Sequence, residues 1–276
     1  MRAVFAWLFL VACMFGAQLK IASFNVENLF DGREQGSEYK DFRYPKWNAS
    51  LYEIKLAKIV SVLRELDADI IGLQEIENAQ VLALLAKKAG YEYYYFSSTE
   101  RAPVGIGILS RVPYVGVKEF SVPRFKTRNI LQTIFFVDNV SFSVFNAHFP
   151  AYNHGKGKQA SIEAKKTMSL AVRGAQNAII LGDFNSPYGS KFVLKNLIDY
   201  KGYTDLWKYI KDPKERYSHV AGASYRAIDH ILLSDEFFKK NSGVWFEDFY
   251  VFKKQVVGAK DYSDHLPIVA VIKVGK

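Results

Sequence analysis

The stretch AIILGDFNSP, residues 178–187, is apolar for four residues and then turns abruptly polar. Its first half is typical of a buried β-strand. Asp183 and Asn185 follow that strand with only Phe184 between them. One interpretation is a simple turn, since Asp, Asn, Ser and Pro all favour turns. The other is an active site, because open α/β sheets present their chemistry at the carboxyl ends of strands. The rest of the chain decides between the two.

The composition is that of an ordinary globular protein with a basic surface. Hydrophobic residues make up 49% of the 276 residues, which is enough to build a sizeable core. Lys and Arg number 37 against 28 Asp and Glu, a net charge of +9. This balance favours polyanionic partners such as nucleic acid or an anionic membrane. Because the sequence contains no linker, repeat or low-complexity tract, we expect one domain over residues 18–276, acting as a monomer without a stable protein partner.

The first residues, MRAVFAWLFLVACMFGA (1–17), have the pattern of a secretory signal peptide. Arg2 is followed by an almost wholly apolar run that is too short for a transmembrane span of about 20 residues. Cleavage after Ala17 would export the mature protein to the periplasm or the medium. The segment LVAC (10–13) also resembles a bacterial lipobox, which would instead place a lipid anchor on Cys13. Cys13 is the only cysteine, which excludes an intrachain disulfide and a zinc site built from several thiolates.

Apolar periodicity predicts an α/β protein in which strands outnumber helices. Asn78 and Gly90 are expected to cap one helix at its two ends, and Asp138 with Asn139 indicates a hairpin turn. The strands come partly in hairpins, which favours a layered α/β fold with two packed β-sheets and helices outside over a doubly wound parallel sheet. Strands are predicted at 19–26, 68–76, 105–111, on both sides of the turn within 129–149, at 177–185, 225–234 and 266–274, and helices at 51–66, 79–89, 161–173 and 191–200.

Polar side chains recur wherever an apolar run stops. Taken singly, each has an ordinary explanation: Glu75 as a charge at a helix start, His148 as a core histidine, Asp229 and Asp264 as turn residues. Random turn chemistry rarely yields four carboxylates, two amides and two imidazoles that all flank strands. The set therefore indicates an active site, and its members are Asn25, Glu75, His148, Asp183, Asn185, Asp229, Asp264 and His265.

Seven short segments together resemble the endonuclease/exonuclease/phosphatase superfamily. They occur in that superfamily's order and span about residues 20–272, and the combination of QE, GDFN and SDH is the specific part. The resemblance implies a four-layer α/β sandwich and Mg²⁺-dependent hydrolysis of phosphate esters, with Mn²⁺ as a substitute and assistance by Ca²⁺ left open. The opening NVENLFD resembles an exported bacterial branch. The segments are SFNVENLFD, IIGLQEIEN, GIGILSR, FNAHFP, ILGDFNSP, AIDHILLS and YSDHLPIVA.

The resemblance also implies a role for each candidate at the metal and at the histidine. Glu75 would be the principal metal ligand, with Asn25 and Asp264 completing its surroundings. His265 would be the base or the group that polarises the phosphate, and Asp229 would orient it. A neighbouring carboxylate favours the charged form of a histidine and so raises its basicity.

The remaining candidates would contact the water or the phosphate. Asp183 would orient or deprotonate the attacking water, Asn185 would donate to a phosphate oxygen, and His148 would touch the scissile phosphate from the opposite side. Arg128 matches the arginine that precedes the hairpin strand in deoxyribonuclease-like members. An arginine can bind phosphate through two hydrogen bonds, and the nearby cations Arg124 and Lys126 are alternatives. Deoxyribonuclease I carries a Tyr and a Glu ahead of its GIGILSR-like strand where this chain has Ala and Val, so the partner of His148 is open.

Three hypotheses for the substrate follow. The first is an exported nuclease cutting DNA and potentially RNA, in which a lysine cluster within residues 154–166 follows the nucleic-acid backbone; the alternative for that cluster is a solvated helix face. The second is a phosphatase or sphingomyelinase-like enzyme on lipid or inositol phosphates, gripping a membrane through aromatics at 92–96 and 244–252, which could equally be strand packing. The third is a toxin-subunit nuclease. Because every expected catalytic residue is present, an inactive binding module is disfavoured.

Overall fold

The computed structural model describes residues 16–99, 102–152, 155–190, 194–195, 197–198, 202–253 and 262–275. Cys13 with its lipobox, almost all of the predicted signal peptide and most of the predicted helix at 191–200 lie outside these ranges. Ala17, the residue at the predicted cleavage site, is the first residue of the first strand and is paired with Val274.

Within the described residues the chain forms fourteen β-strands and three α-helices. The strands are β1 (Ala17–Leu29), β2 (Ile70–Ile76), β3 (Tyr93–Ser97), β4 (Gly105–Ser110), β5 (Tyr114–Phe120), β6 (Ile130–Val137), β7 (Val140–His148), β8 (Ala178–Asp183), β9 (Tyr203–Asp205), β10 (His219–Ala221), β11 (Ser224–Arg226), β12 (Asp229–Ser234), β13 (Val244–Val251) and β14 (Ile268–Val274). The helices are α1 (Ala49–Leu66), α2 (Ala79–Ala89) and α3 (Gly157–Ala171).

Twelve of the described strands form two six-stranded sheets that pack face to face. The order is β13-β14-β1-β2-β4-β3 in the first sheet and β5-β6-β7-β8-β12-β9 in the second, while β10 and β11 form a separate hairpin. One apolar cluster lies between the sheets, a second joins α1 and α2 to the first sheet, and a third joins α3 to the second sheet. The predicted four-layer α/β sandwich is confirmed.

Local signals explain where several elements begin and end. The Asn48 side chain accepts from the backbone N–H groups of Ser50 and Leu51 at the start of α1. Asn78 caps α2 in the same way, and Gly90 ends that helix with a left-handed φ of 83°, both as predicted. Asp138 and Asn139, with φ of 49° and 64°, make the tight turn between β6 and β7 that the sequence indicates.

Several predicted boundaries differ by a few residues, and two of the differences have a clear structural cause. The helix predicted at 161–173 begins four residues earlier, at Gly157, where a Cβ would lie 2.0 Å from the carbonyl oxygen of Ala151, so a glycine permits the close start of the helix. The strand predicted at 225–234 is divided into β11 and β12, because Tyr225 pairs with Val220 rather than with the second sheet.

The aromatic segments at 92–96 and 244–252 correspond to the two edge strands of the first sheet, β3 and β13. The ring of Phe249 in β13 is buried against Trp207, with the ring centroids 5.3 Å apart. These segments therefore contribute to strand packing, which was the second interpretation of their pattern.

Candidate active site

The predicted site residues meet at one end of the sandwich. β1 and β2 are parallel neighbours in the first sheet, and β7 and β8 are parallel neighbours in the second. The Asn25 amide in β1 donates to Asp183 at the end of β8, so these regions of the two sheets lie together. Asp183 closes β8, directly opposite Asp229 at the start of the antiparallel strand β12. A groove of about 790 Å³ opens there, and seven predicted residues line it: Glu75, Arg128, His148, Asp183, Asn185, Asp264 and His265.

Glu75 reaches this groove because β2 is irregular at that point. The residue has a positive φ of 66°, and the pairing of β2 with β4 shifts register between Gln74 and Ile76. Regular alternation would place Glu75 on the same face as Leu73, which packs toward the helices. The irregularity instead turns the carboxylate toward the groove, where it accepts from the Asn25 amide at 3.0 Å and from the Asn28 backbone N–H at 2.9 Å.

Asn25 lies behind the groove and links the two sheets' carboxylates. Its Nδ2 donates to Glu75 Oε1 and to Asp183 Oδ2, each at 3.0 Å, while its Oδ1 accepts from the backbone N–H of Glu27. The amide nitrogen, rather than the oxygen that would bind a metal, thus faces the carboxylates. In this arrangement Asn25 holds the two acids in register with each other.

Asp183, Asn185 and His148 form the second-sheet side of the site. The Asn185 backbone N–H donates to Asp183 Oδ1 at 2.8 Å, and its Nδ2 donates to the Phe149 carbonyl at 2.9 Å. That Nδ2 also lies 3.4 Å from Nε2 of His148. Burial, followed by the charges of Arg128 and His265, lowers the pKa of His148 well below its usual value, so this imidazole is held neutral.

His265 is oriented by a buried carboxylate, as the resemblance implies. Its Nδ1 lies 2.8 Å from Asp229 Oδ2, and the Ser218 hydroxyl donates to the same oxygen at 2.6 Å. Burial opposes the charged form of His265, but the adjacent Asp229 carboxylate outweighs it and raises the pKa of His265 above its usual value. Nε2 then carries a proton toward the groove, 3.8 Å from Asp183 Oδ2.

The Asp183 carboxylate is the side chain in the groove that is best suited to accept a proton. Its side chain is 2% exposed, and burial, reinforced by the charge of Asp229 and opposed by that of His265, raises the pKa of Asp183 well above its usual value. A carboxylate with a raised pKa accepts a proton more readily than an ordinary one. Asp183 and His265 thus form an acid–base pair with their reactive atoms in the same groove.

The donor set fits a divalent cation. One oxygen of Glu75, one of Asp183 and Nε2 of His148 all lie within 4.8 Å of one another. His148 Nε2 is 3.7 Å from the glutamate oxygen and 3.6 Å from the aspartate oxygen. Two carboxylates brought together out of water are costly unless a cation compensates them. Oxygen ligands of this kind suit a hard cation such as Mg²⁺.

Of the three candidate phosphate-binding cations, Arg128 is the one that lines the groove. Its Nε lies 3.4 Å from the carbonyl oxygen of Val104, while Lys126 lines a separate cavity of about 280 Å³. His148 Nδ1 is buried and has no hydrogen-bond partner among the described residues, so the partner of this nitrogen stays open.

The structure adds site residues that the sequence analysis missed. Glu27 has a positive φ of 51°, lines the groove and accepts from the Asp264 backbone N–H at 3.1 Å. Beneath it, the buried Lys55 on α1 donates from its amine to the Glu27 carbonyl. His219 and Arg226 enter from the β10–β11 hairpin. Glu27 lies inside the quoted NVENLFD segment and could have been found there, whereas no sequence pattern singles out the two hairpin residues.

Comparison with known proteins identifies the chain's relatives. Residues 22–265 match the model of the Endonuclease/Exonuclease/phosphatase family. The chain belongs to this family. It is accordingly a hydrolase of phosphate esters, and the family's dependence on a divalent metal agrees with the acidic and histidine cluster described above. No curated protein sequence matches the chain.

Several solved structures share the fold. D. rerio TDP2 in complex with a single-strand DNA product is 17% identical with a TM-score of 0.70, covering 94% of this chain and 100% of that one. A family protein from Bacteroides thetaiotaomicron is 17% identical with a TM-score of 0.65, covering 95% and 99%. The 3′ phosphatase NExo from Neisseria, bound to a product DNA hairpin, is 18% identical with a TM-score of 0.64, covering 91% and 98%.

In the part of the chain that the structure describes, none of the helices has the length and apolar character needed to cross a bilayer.

Proposed function

We propose that the protein is an exported, Mg²⁺-dependent phosphodiesterase that hydrolyses nucleic acid, with DNA as its main substrate. The observation that carries the proposal is the convergence of Glu75, Asp183, His148 and His265 on one open groove. The carboxylates supply a site for a hard cation. The two imidazoles differ in charge, because burial and neighbouring groups lower the pKa of His148 and the Asp229 carboxylate raises the pKa of His265. In-line attack of water on a phosphodiester requires a cation, a proton acceptor and a proton donor, and these residues can supply all three.

In this mechanism each residue acts at a stated atom. Asp183 accepts the proton of the attacking water, and His265 donates from Nε2 to a phosphate oxygen, held in place through Nδ1 by Asp229. Asn185 and His148 orient the phosphate from the second-sheet side. Glu75 would be the principal residue that holds the Mg²⁺, with Asp264 in the same groove and Asn25 supporting the Glu75 carboxylate. The ion would neutralise the non-bridging oxygens and stabilise the leaving oxygen.

The charge around the groove supports a polyanionic substrate. Arg128 and Arg226 line it, and the start of α3 contributes Gly157 to the same wall. The basic cluster proposed to follow the backbone continues from there, with Lys156, Lys158 and Lys166 exposed. A lipid substrate would call for an exposed apolar hairpin, but the two aromatic segments considered for that purpose are edge strands of the first sheet.

Export is part of the proposal and rests on the pattern of residues 1–17. Mass spectrometry of the native N-terminus measures it directly. A mature chain beginning near Ala17 supports secretion, a diacylated Cys13 supports a lipoprotein, and an intact Met1 contradicts both.

The experiment that tests the activity uses purified protein with supercoiled plasmid, in Mg²⁺ and in EDTA. We expect metal-dependent nicking, and we expect Glu75→Gln and His265→Ala each to reduce it by at least ~10²-fold, the lower range for a general acid–base contribution. Glu247→Gln is the matched control, because Glu247 pairs with Lys273 on the surface, away from the groove.

Parallel tubes hold sphingomyelin vesicles, inositol phosphates and a 3′-phosphorylated DNA oligonucleotide. Intact plasmid together with release of phosphocholine or inositol-bound phosphate would overturn the nucleic-acid assignment while leaving the hydrolytic site in place. Near-normal nicking by both folded site variants would overturn the site itself.

A further inference from the structure

A second group of metal-binding side chains lies beside the proposed Mg²⁺ site. His219, Asp264 and His265 each offer a ligand atom, and these atoms all lie within 4.8 Å of one another. His219 Nε2 is 3.2 Å from Asp264 Oδ2, and His265 Nε2 is 3.7 Å from Asp264 Oδ1. The carboxylate therefore stands between two imidazoles, and all three side chains line the groove.

The backbone fixes this arrangement. His219 and His265 are directly opposed in an antiparallel bridge, so their side chains project from the same face. The Val220 N–H donates to the Asp264 carbonyl at 2.8 Å, and the Leu266 N–H donates to the Ser218 carbonyl at 2.6 Å. The two imidazole rings lie 4.8 Å apart, centroid to centroid. The β10–β11 hairpin thus holds His219 in a defined position beside His265.

Both imidazoles present Nε2 to the same point. His265 Nδ1 is engaged by Asp229, an arrangement that orients a histidine toward a metal in many metal sites. His219 Nδ1 is enclosed and has no hydrogen-bond partner among the described residues, so Nε2 is the nitrogen that a ligand can reach. Asp264 is 38% exposed at its side chain, which leaves the open side of the cluster accessible to water.

The chemistry of this donor set differs from that of the Glu75 cluster. Two imidazole nitrogens and one carboxylate oxygen suit Zn²⁺, whereas Mg²⁺ prefers oxygen ligands. In a tetrahedral zinc site with Zn–N distances of about 2.0–2.1 Å, neighbouring ligand atoms are about 3.3 Å apart. His219 Nε2 lies at that spacing, 3.2 Å from Asp264 Oδ2, and the three ligand atoms lie within 4.8 Å of one another, so small side-chain rotations would close the site around the ion. Two histidines, one aspartate and a water would complete four-coordination.

We propose that His219, Asp264 and His265 form a zinc-binding site that inhibits the enzyme. Bound Zn²⁺ takes Nε2 of His265, the atom that the proposed mechanism uses toward the phosphate, and the proton that it displaces is released to water. No bond of the substrate is made or broken in this step. Zinc binding itself is independent of the substrate assignment; only the inhibition rests on the proposed function.

Binding is measured first, by titrating Zn²⁺ into the purified, metal-free protein. Calorimetry gives the Kd, and long-range ¹H–¹⁵N NMR follows the imidazoles, of which the chain has five. We expect the signals of His219 and His265 to shift together at one equivalent. The same Kd in His219→Gln as in the unaltered protein, or shifts confined to His148, would overturn the proposal, since the latter places the ion at the Glu75 cluster.

Two glutamine variants in the β10–β11 hairpin, one at a proposed ligand and one at its cross-strand neighbour, test the site. His219→Gln removes one ligand and is expected to weaken zinc binding by at least ~10-fold, the lower range for loss of even an outer-sphere partner. Arg226→Gln is the control, because Arg226 is the cross-strand neighbour of His219 but offers no metal ligand. The NMR readout on unaltered protein keeps the site testable if His219→Gln fails to fold.

Inhibition is measured second, as Zn²⁺ titrated into the Mg²⁺-driven reaction. We expect activity to fall as the cluster fills, and the Zn²⁺ concentration for half-inhibition to rise at least ~10-fold in His219→Gln, following its Kd. Zinc that binds His219 and His265 without reducing activity would overturn the inhibitory role. Absence of activity on every substrate would contradict the proposed function and leave the binding result standing.

Discussion

At the scale of single residues, His230 shows how a buried side chain supports the site without touching it. Its Nδ1 lies 2.8 Å from Asp205 Oδ2, and its Nε2 lies 2.8 Å from the carbonyl oxygen of Ser186. Both neighbours are acceptors, so both ring nitrogens carry protons and the imidazole is charged. His230 therefore ties β12, next to Asp229, to the backbone that follows Asn185.

This charge makes stability depend on pH. Burial opposes the charged form, but the Asp205 carboxylate outweighs it and raises the pKa of His230 above its usual value. A raised folded-state pKa contributes stability that is fully present below the unfolded value of about 6.5 and is lost as pH rises through the folded value. We expect the thermal midpoint of the metal-free protein to fall over that window.

His230→Gln is the comparison for this prediction, since glutamine keeps hydrogen-bonding capacity but does not titrate. The pKa of His265 is also raised, and its contribution has the same sign in both proteins. The variant should therefore show a shallower fall of the thermal midpoint with pH. Parallel curves for the two proteins, recorded by circular dichroism, would contradict a charged His230.

At the scale of elements, the close approach of β7 and β8 determines the glycine before Asp183. Gly182 has a positive φ of 140°, and a Cβ there would lie 1.9 Å from the carbonyl oxygen of Ala147. A side chain would therefore meet both an unfavourable backbone conformation and a fixed backbone atom. The glycine allows the parallel strands to place His148 and Asp183 side by side.

We expect Gly182→Ala to lower the free energy of unfolding by more than the ~1–3 kcal/mol of backbone strain alone, because the clash with β7 adds to it. Gly174→Ala is the matched control: it also has a positive φ, of 77°, but a Cβ there meets nothing within 4 Å. Urea unfolding monitored by tryptophan fluorescence measures both. Equal losses in the two variants would show that the clash is relieved by small shifts.

At the scale of the whole molecule, one buried amide joins the two sheets beneath the site. Asn146 in β7 donates to the carbonyls of Leu73 and Gly107 in the first sheet, at 3.0 and 2.8 Å. Its Oδ1 accepts from Gln74 at 2.8 Å. Gln74 directly precedes Glu75, and Asn146 lies two residues before His148, so this bridge sets the distance between the two halves of the site.

Removing the bridge should affect both stability and activity. Asn146→Ala removes a donor from two buried carbonyls, while the Gln74 amide keeps the Ser23 hydroxyl and the Gly72 carbonyl as acceptors. At about 1–3 kcal/mol for each buried group left unsatisfied, we expect a loss of a few kcal/mol in the free energy of unfolding. Phosphoesterase activity should fall at temperatures where the variant remains folded, because Glu75 loses its support.

Gln132→Ala is the control for this variant, since Gln132 donates to Ser143 within the second sheet alone. It should lose stability without changing the spacing of the two sheets. If Asn146→Ala keeps full activity while folded, the bridge does not determine the position of Glu75.

Much of the molecule could be predicted from local sequence. Asn78 and Gly90 define a helix, Asp138 and Asn139 define a turn, and the apolar run before Asp183 defines a strand, because each depends on neighbours within a few residues. The short strands β9, β10 and β11 could not be found in this way. Each has three residues, too few for a period to show.

The sequence by itself therefore determined the layered fold and the chemical character of the strand ends, since the periodicity of apolar residues and the residue types are local properties of the chain. Only the tertiary structure decided how those ends meet. The left-handed turn at Glu75, the Asn146 bridge and the pairing of His219 with His265 all depend on strands far apart in the chain. Their geometry follows from register and sheet packing, which no short stretch of sequence encodes.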